Sequence, residues 1–210
     1  MAYTELNQDL RTTIQRNLAG FEHLAIDGPG LRRAAVAITI TATADGPPAV
    51  LLTRRPARMG RHAGQYALPG GRVDDGETLE EAARRELEEE LGVALAAGAV
   101  IGRLDDYPTR SGFSITPFVL WGGRDLELTP AADEVAKVFH IPLDELDSDA
   151  LPHFEEGEQG GHPVLYSMLP TLGHSMYSPT ASVLYQFREV ALRGLSTRVA
   201  HYDQPRFAWK

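Results

Sequence analysis

A glutamate-rich segment with marked ends is the feature that most constrains the fold of this 210-residue chain. Thr78-Leu-Glu-Glu81 is a capping box, in which a threonine and a glutamate three positions later satisfy free backbone N–H groups at a helix start. Gly92 is a typical helix stop, because glycine readily adopts the left-handed conformation that ends many helices. The sequence therefore predicts an α-helix from residue 79 to about Leu91.

Some glutamates of this predicted helix lie on its apolar side rather than on a solvated face. At about 100° per residue, Leu79 and Leu87 mark the apolar arc of the helix. Glu86 and Glu90 fall inside this arc, and Glu89 falls at its edge. Carboxylates so placed repel one another and lose hydration. A hard divalent cation would compensate, because Mg²⁺ takes oxygen ligands and often sits between carboxylates and substrate phosphates.

The rest of the chain mixes strand and helix signals. Apolar periodicity and turn residues predict helices at 4–22, 142–146 and from Ser178-Pro179 to Gly194, and strands at 34–43, 49–53, 100–104, 115–121 and 135–141. We expect loops at 54–76 and 153–163. The mixture predicts an α/β or α+β class. We expect one domain over 1–210, with an N-terminal helical extension at 1–30 and a C-terminal tail at 195–210.

Composition excludes several classes of function. The chain has 29 acidic and 20 basic residues, a net charge of −9, which argues against nucleic acid as a partner. It has no cysteine, so disulfides, thiolate metal sites and cysteine nucleophiles are excluded. Motifs of P-loop, dinucleotide-binding, zinc-protease and serine-hydrolase sites are absent from the sequence. Without a signal peptide or a membrane-length apolar run, we expect a cytoplasmic protein with no membrane partner.

The segment that contains the predicted helix matches a known pattern. Residues 71–93 resemble the Nudix box, G-x5-E-x7-R-E-U-x-E-E-x-G-U, where U is aliphatic. The fixed positions are all present, as Gly71, Glu77, Arg85, Glu86, Glu89, Glu90 and Gly92. The resemblance implies an α/β/α sandwich with a mixed sheet. It also implies a hydrolase that acts on a nucleoside diphosphate linked to another group.

The same resemblance implies roles for individual residues. The catalytic positions would be Arg85, Glu86, Glu89 and Glu90. The ligands of Mg²⁺ or Mn²⁺ would be the three glutamates together with Gly71. Arg85 would also pair with Glu77 and brace the start of the helix. The general base stays open between Glu89, Glu134 and another group, and Glu134 also fits a solvated residue at a strand end.

The residues before the box point to a narrower group. Residues 51–71 resemble the segment L-L-T-x-R-S-x-x-L-R-x-H-x-G-Q-x-x-F-P-G-G of coenzyme A pyrophosphatases, with departures at Pro56, Gly60 and Leu68. This implies coenzyme A or an acyl derivative as substrate, and 3′,5′-ADP and 4′-phosphopantetheine as products. Substrate contacts would then fall on Arg55, His62, Gln65, Gly70, Gly71 and Phe113.

Other interpretations stay open at this point. Arg55 suits a phosphate because its guanidinium is a planar fork, but it could be ordinary surface charge. His62 could bind substrate or brace the loop, and Phe113 could stack on a base or simply pack. The alternative substrates are ADP-ribose and other nucleoside diphosphate sugars. A non-catalytic nucleotide-binding module is the alternative from another class, and the sequence leaves a homodimer open.

Overall fold

The computed structural model describes residues 3–42, 46–57, 64–157 and 161–208. Its helices are α1 (Gln8–Ala19), α2 (Leu79–Leu91), α3 (Leu143–Leu146) and α4 (Thr180–Phe187). Its strands are β1 (Arg32–Ala42), β2 (Ala49–Arg54), β3 (Tyr66–Ala67), β4 (Gly70–Arg72), β5 (Val100–Arg103), β6 (Tyr107–Pro108), β7 (Phe113–Arg124), β8 (Lys137–Pro142), β9 (His153–Glu155), β10 (Val164–Met168) and β11 (Ser175–Tyr177). Short 3₁₀-helices at Ala97–Ala99 and Arg206–Ala208 and a π-helical segment at Arg188–Leu192 complete the elements.

Two sheets organise the molecule. The central one has eight strands and the order β3-β2-β1-β7-β5, with β4 paired to β1, β6 to β7 and β8 to β2. The sheet is mixed, because β1 and β7 run parallel while its other paired strands run antiparallel. The strands β9, β10 and β11 form a separate antiparallel sheet.

The central sheet has helices on both faces. On one face, α2 packs its small and apolar side chains against β1, β2 and β7, through Ala82, Ala83, Leu87, Leu91, Ala35, Ala37, Leu51, Phe118 and Leu120. On the other face, Ile38 and Ile40 belong to the buried cluster that also contains the apolar side chains of α1, α3 and α4. The middle strand β1 is therefore buried on both sides, as is usual for strands covered by two layers. This arrangement is an α/β/α sandwich with a mixed sheet and confirms the predicted fold class.

Several element boundaries differ from the sequence-based expectation. Helix α1 is shorter than predicted, because Asn7 caps its start by accepting a hydrogen bond of 2.9 Å from Leu10 N and the helix ends before Gly20. The expected loop at 54–76 contains β3 and β4. The expected loop at 153–163 contains β9, which pairs with β10.

The last helix also begins later than predicted. Ser178 does not cap it, because the Ser178 hydroxyl donates to Leu165 O at 3.0 Å, and α4 starts at Thr180. Gly194 ends the helical stretch with a left-handed φ of 69°, as predicted. Beyond it, Val199 is buried in the same cluster as the apolar side chains of α1 and α4, so this part of the chain packs against the sandwich. No helix of the described segments has the length and apolarity needed to cross a membrane.

Candidate functional site

Helix α2 begins and ends at the residues that the sequence marks. The Thr78 hydroxyl accepts a bond from Glu81 N at 3.2 Å, and Glu81 Oε2 accepts one from Thr78 N at 2.9 Å. At the other end, Gly92 has φ 72° and its N–H donates to Glu88 O at 2.8 Å. These two caps fix the register of the helix and therefore the direction of each glutamate.

The burial of the glutamates follows the helical wheel. Glu90 is only 3% exposed, although it is a carboxylic acid. Glu86 is mostly covered, with 15% of its side chain exposed, whereas the side chain of Glu89 is 55% exposed. Glu88 points to solvent. The sequence-based prediction that Glu86 and Glu90 lie on the core-facing side is confirmed.

Arg85 connects three of the carboxylates. Its Nε and Nη2 donate to the two oxygens of Glu77 at 2.9 and 3.1 Å, which confirms the predicted pair. Its Nη1 donates to Glu86 Oε1 and to Glu89 Oε2, each at 2.9 Å. Its Nη2 also donates to the carbonyl of Arg72 at 2.9 Å, which ties α2 to β4. One guanidinium thus fixes the loop before the helix, the helix and the neighbouring strand.

Burial disfavours the charged forms of the two inward glutamates. It raises the pKa of Glu90 from 4.5 to about 7, although a bond from Gly70 N and the charge of Arg55 act in the opposite direction. The Glu90 Oε1 to Gly70 N distance is 3.4 Å. Burial also raises the pKa of Glu86, although Arg85 opposes the shift. By contrast, the hydrogen bond from Arg85 lowers the pKa of Glu77.

Two glycines let β4 approach both the helix and β1. A Cβ at Gly71 would overlap the Glu86 carboxylate, and one at Gly70 would overlap the backbone of Ala35 and Val36. Glycine is therefore required at Gly70 by close approach to the backbone, whereas a larger residue at Gly71 would displace the Glu86 carboxylate. As a result, the backbone of β4 lies directly against the glutamates of α2.

The donor set suits a hard cation. It consists of carboxylate oxygens and the backbone oxygen that Gly71 could offer, and such ligands are typical of Mg²⁺ and Mn²⁺. Within the described ranges, no three His, Asp or Glu side chains converge as a ready-formed metal site. Arg85 holds one oxygen of Glu86 and one of Glu89. Glu86, Glu89 and Glu90 therefore form a row on α2 beside β4, which we call the glutamate wall. The negative charge of the exposed Glu134 raises the pKa of both Glu86 and Glu90.

A large cavity lies on the opposite face of the sheet. It has a volume of about 1030 Å³ and is bordered by the central sheet, β11 and the start of α4. Residues Arg32, Ala34 and Val36 of β1 line it, while the alternate residues Ala35 and Ala37 pack against α2. Because successive side chains of a strand point to opposite faces, the cavity lies on the opposite face of β1 from the glutamates. The strand β4, which pairs with β1 alone among the described strands, borders both.

Five of the six predicted substrate residues line this cavity. They are Arg55, Gln65, Gly70, Gly71 and Phe113. The sixth, His62, lies outside the described residues. Gln65 Nε2 donates to the carbonyl of Phe207 at 3.0 Å, which ties the wall after β2 to the C-terminal segment. The structure therefore brings Arg55, which precedes the box, to the same cavity as Phe113, which follows it.

The cavity wall is basic. Four arginines line it, namely Arg32, Arg54, Arg55 and Arg72, and no carboxylate is among the described lining residues. Across the described parts of the chain, no Asp or Glu forms an ion pair with any of these four guanidinium groups. Unpaired positive charges that face a cavity favour an anionic ligand.

Part of this wall consists of residues that no sequence motif contains or fixes. Arg32, Arg72, Tyr177 and Phe207 line the cavity, and Phe207 is 56% exposed although it is aromatic. Arg72 lies at a variable position of the box, and the other three lie outside all the motifs. No local pattern singles them out, because they meet only after β1, β4, β11 and the C-terminal segment have packed together.

Comparison with known proteins gives the family. The NUDIX domain model matches residues 30–160, which is more than half of the chain. The chain is 40% identical over 121 residues to the "Uncharacterized Nudix hydrolase NudL" of Citrobacter koseri, covering 57% of this chain and 63% of that protein. It is 38% identical over 136 residues to the protein of the same name in Cronobacter sakazakii, covering 63% of this chain and 71% of that protein.

A solved structure shares the fold. A MutT/nudix family protein from Enterococcus faecalis superposes with a TM-score of 0.53 at 17% identity, covering 89% of this chain and 74% of that one. At this identity the likeness concerns the fold alone. The match to the Citrobacter koseri relative spans less than two thirds of that protein's length. The family model, together with the Cronobacter sakazakii relative, shows that the chain belongs to the Nudix hydrolase family.

Proposed function

We propose that this protein hydrolyses the diphosphate bond of a nucleoside diphosphate derivative, and that its favoured substrate is coenzyme A or an acyl-coenzyme A. One observation carries the proposal. The short strand β4 has the glutamates of α2 on one side and the arginine-lined cavity on the other. A diphosphate that lies along this strand would meet phosphate-binding groups and cation-binding groups together.

The glutamate wall would hold the metal. Glu86, Glu89, Glu90 and the carbonyl of Gly71 are the proposed ligands of Mg²⁺ or Mn²⁺, and Nudix enzymes generally use divalent ions. When bound, such an ion would neutralise diphosphate charge and lower the pKa of a water molecule. Arg85 acts as a positioning residue, because its bonds to Glu86, Glu89 and the carbonyl of Arg72 orient both walls of the proposed site.

The cavity would hold the substrate. Arg55 lies near enough to Glu90 to favour its ionised form, so a phosphate at Arg55 would lie close to the glutamate wall. Arg54 lines the same region, and guanidinium forks match the spacing of phosphate oxygens. The cavity volume of about 1030 Å³ is at the upper end of the range for small-molecule sites. It therefore suits a substrate with two sizeable halves.

The choice of coenzyme A rests on the motif at residues 51–71. In the structure this segment includes most of β2, all of β3 and the first two residues of β4, and its residues 54–55, 64–68 and 70–71 line the cavity. Hydrolysis would add the elements of water across one P–O bond of the diphosphate. For coenzyme A, each product, 3′,5′-ADP and 4′-phosphopantetheine, would carry one of the two phosphates of the cleaved bond.

A substrate panel tests the proposal. Initial rates would be compared for coenzyme A, acetyl-coenzyme A, ADP-ribose, NADH, sugar nucleotides and oxidised dNTPs, with Mg²⁺ and with Mn²⁺. We expect coenzyme A or its acyl derivative to give the highest kcat/KM and excess chelator to abolish turnover. If ADP-ribose is hydrolysed tenfold more efficiently than coenzyme A, the favoured substrate is a nucleoside diphosphate sugar and not coenzyme A. Binding of these compounds without any turnover would instead establish a non-catalytic module.

A further inference from the structure

We propose that Arg32 and Arg72, gathered around Phe113, form a subsite for a phosphomonoester on the nucleotide half of the substrate, separate from the diphosphate that is cleaved. The proposal rests on the proposed function, because it assigns a second anionic group to the same substrate. It concerns the end of the cavity at the start of β1.

Three neighbouring strands bring these residues to one place. In the parallel pair of β1 and β7, Arg32 lies opposite Phe113. In the antiparallel pair of β1 and β4, Arg72 lies opposite Ala34, two positions further along β1. All of these side chains line the cavity and therefore share one face of the sheet. The arrangement is set by strand register, so it does not depend on a flexible loop.

Both guanidinium groups lie against the same aromatic ring. The Cζ atom of Arg32 is 3.9 Å from the ring centre of Phe113, and that of Arg72 is 5.4 Å from it. The two like charges share this one ring and repel each other, and neither has a carboxylate partner in the described residues. The ring stabilises each cation but cannot neutralise it. An anion would therefore be bound between the two groups.

The surroundings hold the pair in position. Arg32 Nη2 donates to the carbonyl of Ser111 at 2.9 Å, and the carbonyl of Arg72 accepts from Arg85 Nη2 at 2.9 Å. The Thr109 hydroxyl accepts from Phe113 N at 2.9 Å and lies 3.2 Å from Phe113 O, so it holds the start of β7 in place. The Ser111 hydroxyl is 3.0 Å from that of Thr109, and Ser111 also lines the cavity. The subsite thus combines two guanidinium forks with the hydroxyl group of Ser111, and both kinds of group are common phosphate ligands in proteins.

This pair is separate from the arginines assigned to the diphosphate. Arg54 is the last residue of β2 and lies opposite Tyr66 of β3, and Arg55 follows it. In the sheet, β2 and β3 lie on one side of β1, whereas β7, which carries Phe113 opposite Arg32, lies on the other side. A phosphomonoester carries more than one negative charge at neutral pH and three acceptor oxygens. It therefore suits two guanidinium groups better than a singly charged carboxylate does.

Binding of product-like ligands tests the subsite without turnover. By calorimetry, we expect adenosine 3′,5′-bisphosphate to bind the native protein at least roughly tenfold more tightly than AMP. In the double variant Arg32→Gln, Arg72→Gln this advantage should fall to about twofold or less. The single variant Arg32→Gln should lose part of it and serves if the double variant does not fold. Arg33→Gln is the matched control, because the exposed Arg33 lines a different cavity of about 370 Å³.

ADP separates the two sources of a second phosphate. It has the same number of phosphates as the bisphosphate, but they form one chain. If ADP binding depends on Arg32 and Arg72 as strongly as bisphosphate binding does, the pair binds a chain phosphate and the proposal is overturned. An equal affinity for bisphosphate and AMP in the native protein also overturns it.

Hydrolysis gives a second readout. The ratio of kcat/KM for coenzyme A to that for dephospho-coenzyme A should be well above one in the native protein and in Arg33→Gln. It should approach one in the double variant. If neither compound is hydrolysed while the bisphosphate result holds, the proposed substrate fails and the subsite stands. If both compounds are hydrolysed equally by native protein, the subsite fails and the proposed function stands.

Discussion

The two sides of β4 carry opposite charge and are held in opposite ways. On the α2 side, the carboxylates of Glu77, Glu86 and Glu89 share the single guanidinium of Arg85, and Glu90 is buried beside them. On the cavity side, four guanidinium groups face a space with no carboxylate among its described lining residues. The α2 side is therefore held together by ion pairs, whereas the guanidinium groups on the cavity side have no carboxylate partner in the described residues.

This difference indicates what each side is built to receive. A wall of crowded carboxylates is stabilised by a cation, and a wall of unpaired guanidinium groups is stabilised by anions. A metal complex of a diphosphate offers both charges in one ligand. The strand β4 is only three residues long, and two of its residues are glycines. Because these two positions have no side chain, the glutamates of α2 and the residues that line the cavity lie closer together than they could with larger residues there.

The largest expected effect comes from breaking the carboxylate side at Glu90. In Glu90→Gln we expect kcat to fall roughly hundredfold or more, because the variant removes a charged metal ligand from the wall. Initial rates with saturating Mg²⁺ measure the change, and circular dichroism checks the fold. Glu88 lies on the solvent-exposed face of α2, so the control variant Glu88→Gln should keep native activity. Near-native turnover in Glu90→Gln would remove Glu90 from the mechanism.

The second prediction concerns stability and uses the same variant without metal. Burial raises the pKa of Glu90 from 4.5 to about 7, so ionising it destabilises the fold. In chelator at pH 8, the free energy of unfolding of Glu90→Gln should exceed that of native protein by at most about 3 kcal/mol. This limit follows because one pKa unit corresponds to about 1.4 kcal/mol. This would raise the melting temperature by roughly 6–12 °C. Saturating Mg²⁺ or Mn²⁺ should stabilise native protein and narrow the gap.

The sign of the pH dependence follows from the direction of the shift. Below the unfolded-state pKa of 4.5, Glu90 is protonated in both states and the variant gains nothing. Between that value and about 7 the native state binds more protons than the unfolded state, so native stability falls as the pH rises. Melts in chelator at pH 5, 6, 7 and 8 should show the gap growing. A variant that melts well below native protein at each pH would show that Glu90 is an ordinary structural residue.

The two sides also differ in how far the sequence predicts them. Helix α2 was predictable because its capping box, its apolar spacing and Gly92 act within a few residues of one another. Strand β4 was not, because a three-residue strand has no periodicity and exists through its pairing with β1, more than 30 positions away. Arg55 could be predicted because it belongs to the motif at residues 51–71. Arg32 and Phe207 belong to no motif and reach the cavity only through tertiary packing.

The same distinction explains the errors at segment ends. Ser178-Pro179 matches a helix start, but the hydroxyl of Ser178 is used by the carbonyl of Leu165 on β10. The polar segment at 153–163 matches a loop, but His153–Glu155 pairs with β10 and its histidine stacks on Tyr166 at 5.1 Å. In both cases a partner distant in sequence replaces the local preference.

The smallest of the three expected effects comes from breaking the cavity side at one arginine. Arg55→Ala should lower kcat/KM for the best substrate of the panel by about tenfold to a hundredfold, since a charge-assisted hydrogen bond contributes about 1.5–3 kcal/mol. The loss should appear mainly in KM, because Arg55 would hold a phosphate both before and during the reaction.

Arg55→Lys separates charge from shape: lysine keeps the positive charge but cannot form the planar fork. If it restores less than half of the lost free energy, two-point recognition of the phosphate is supported, and full recovery would show that only charge matters there. Arg33→Ala, on the same sheet but lining a different cavity, should behave as native protein. If Arg55→Ala matches that control, Arg55 is surface charge, and the basic side of β4 would have to bind the diphosphate through Arg54 instead.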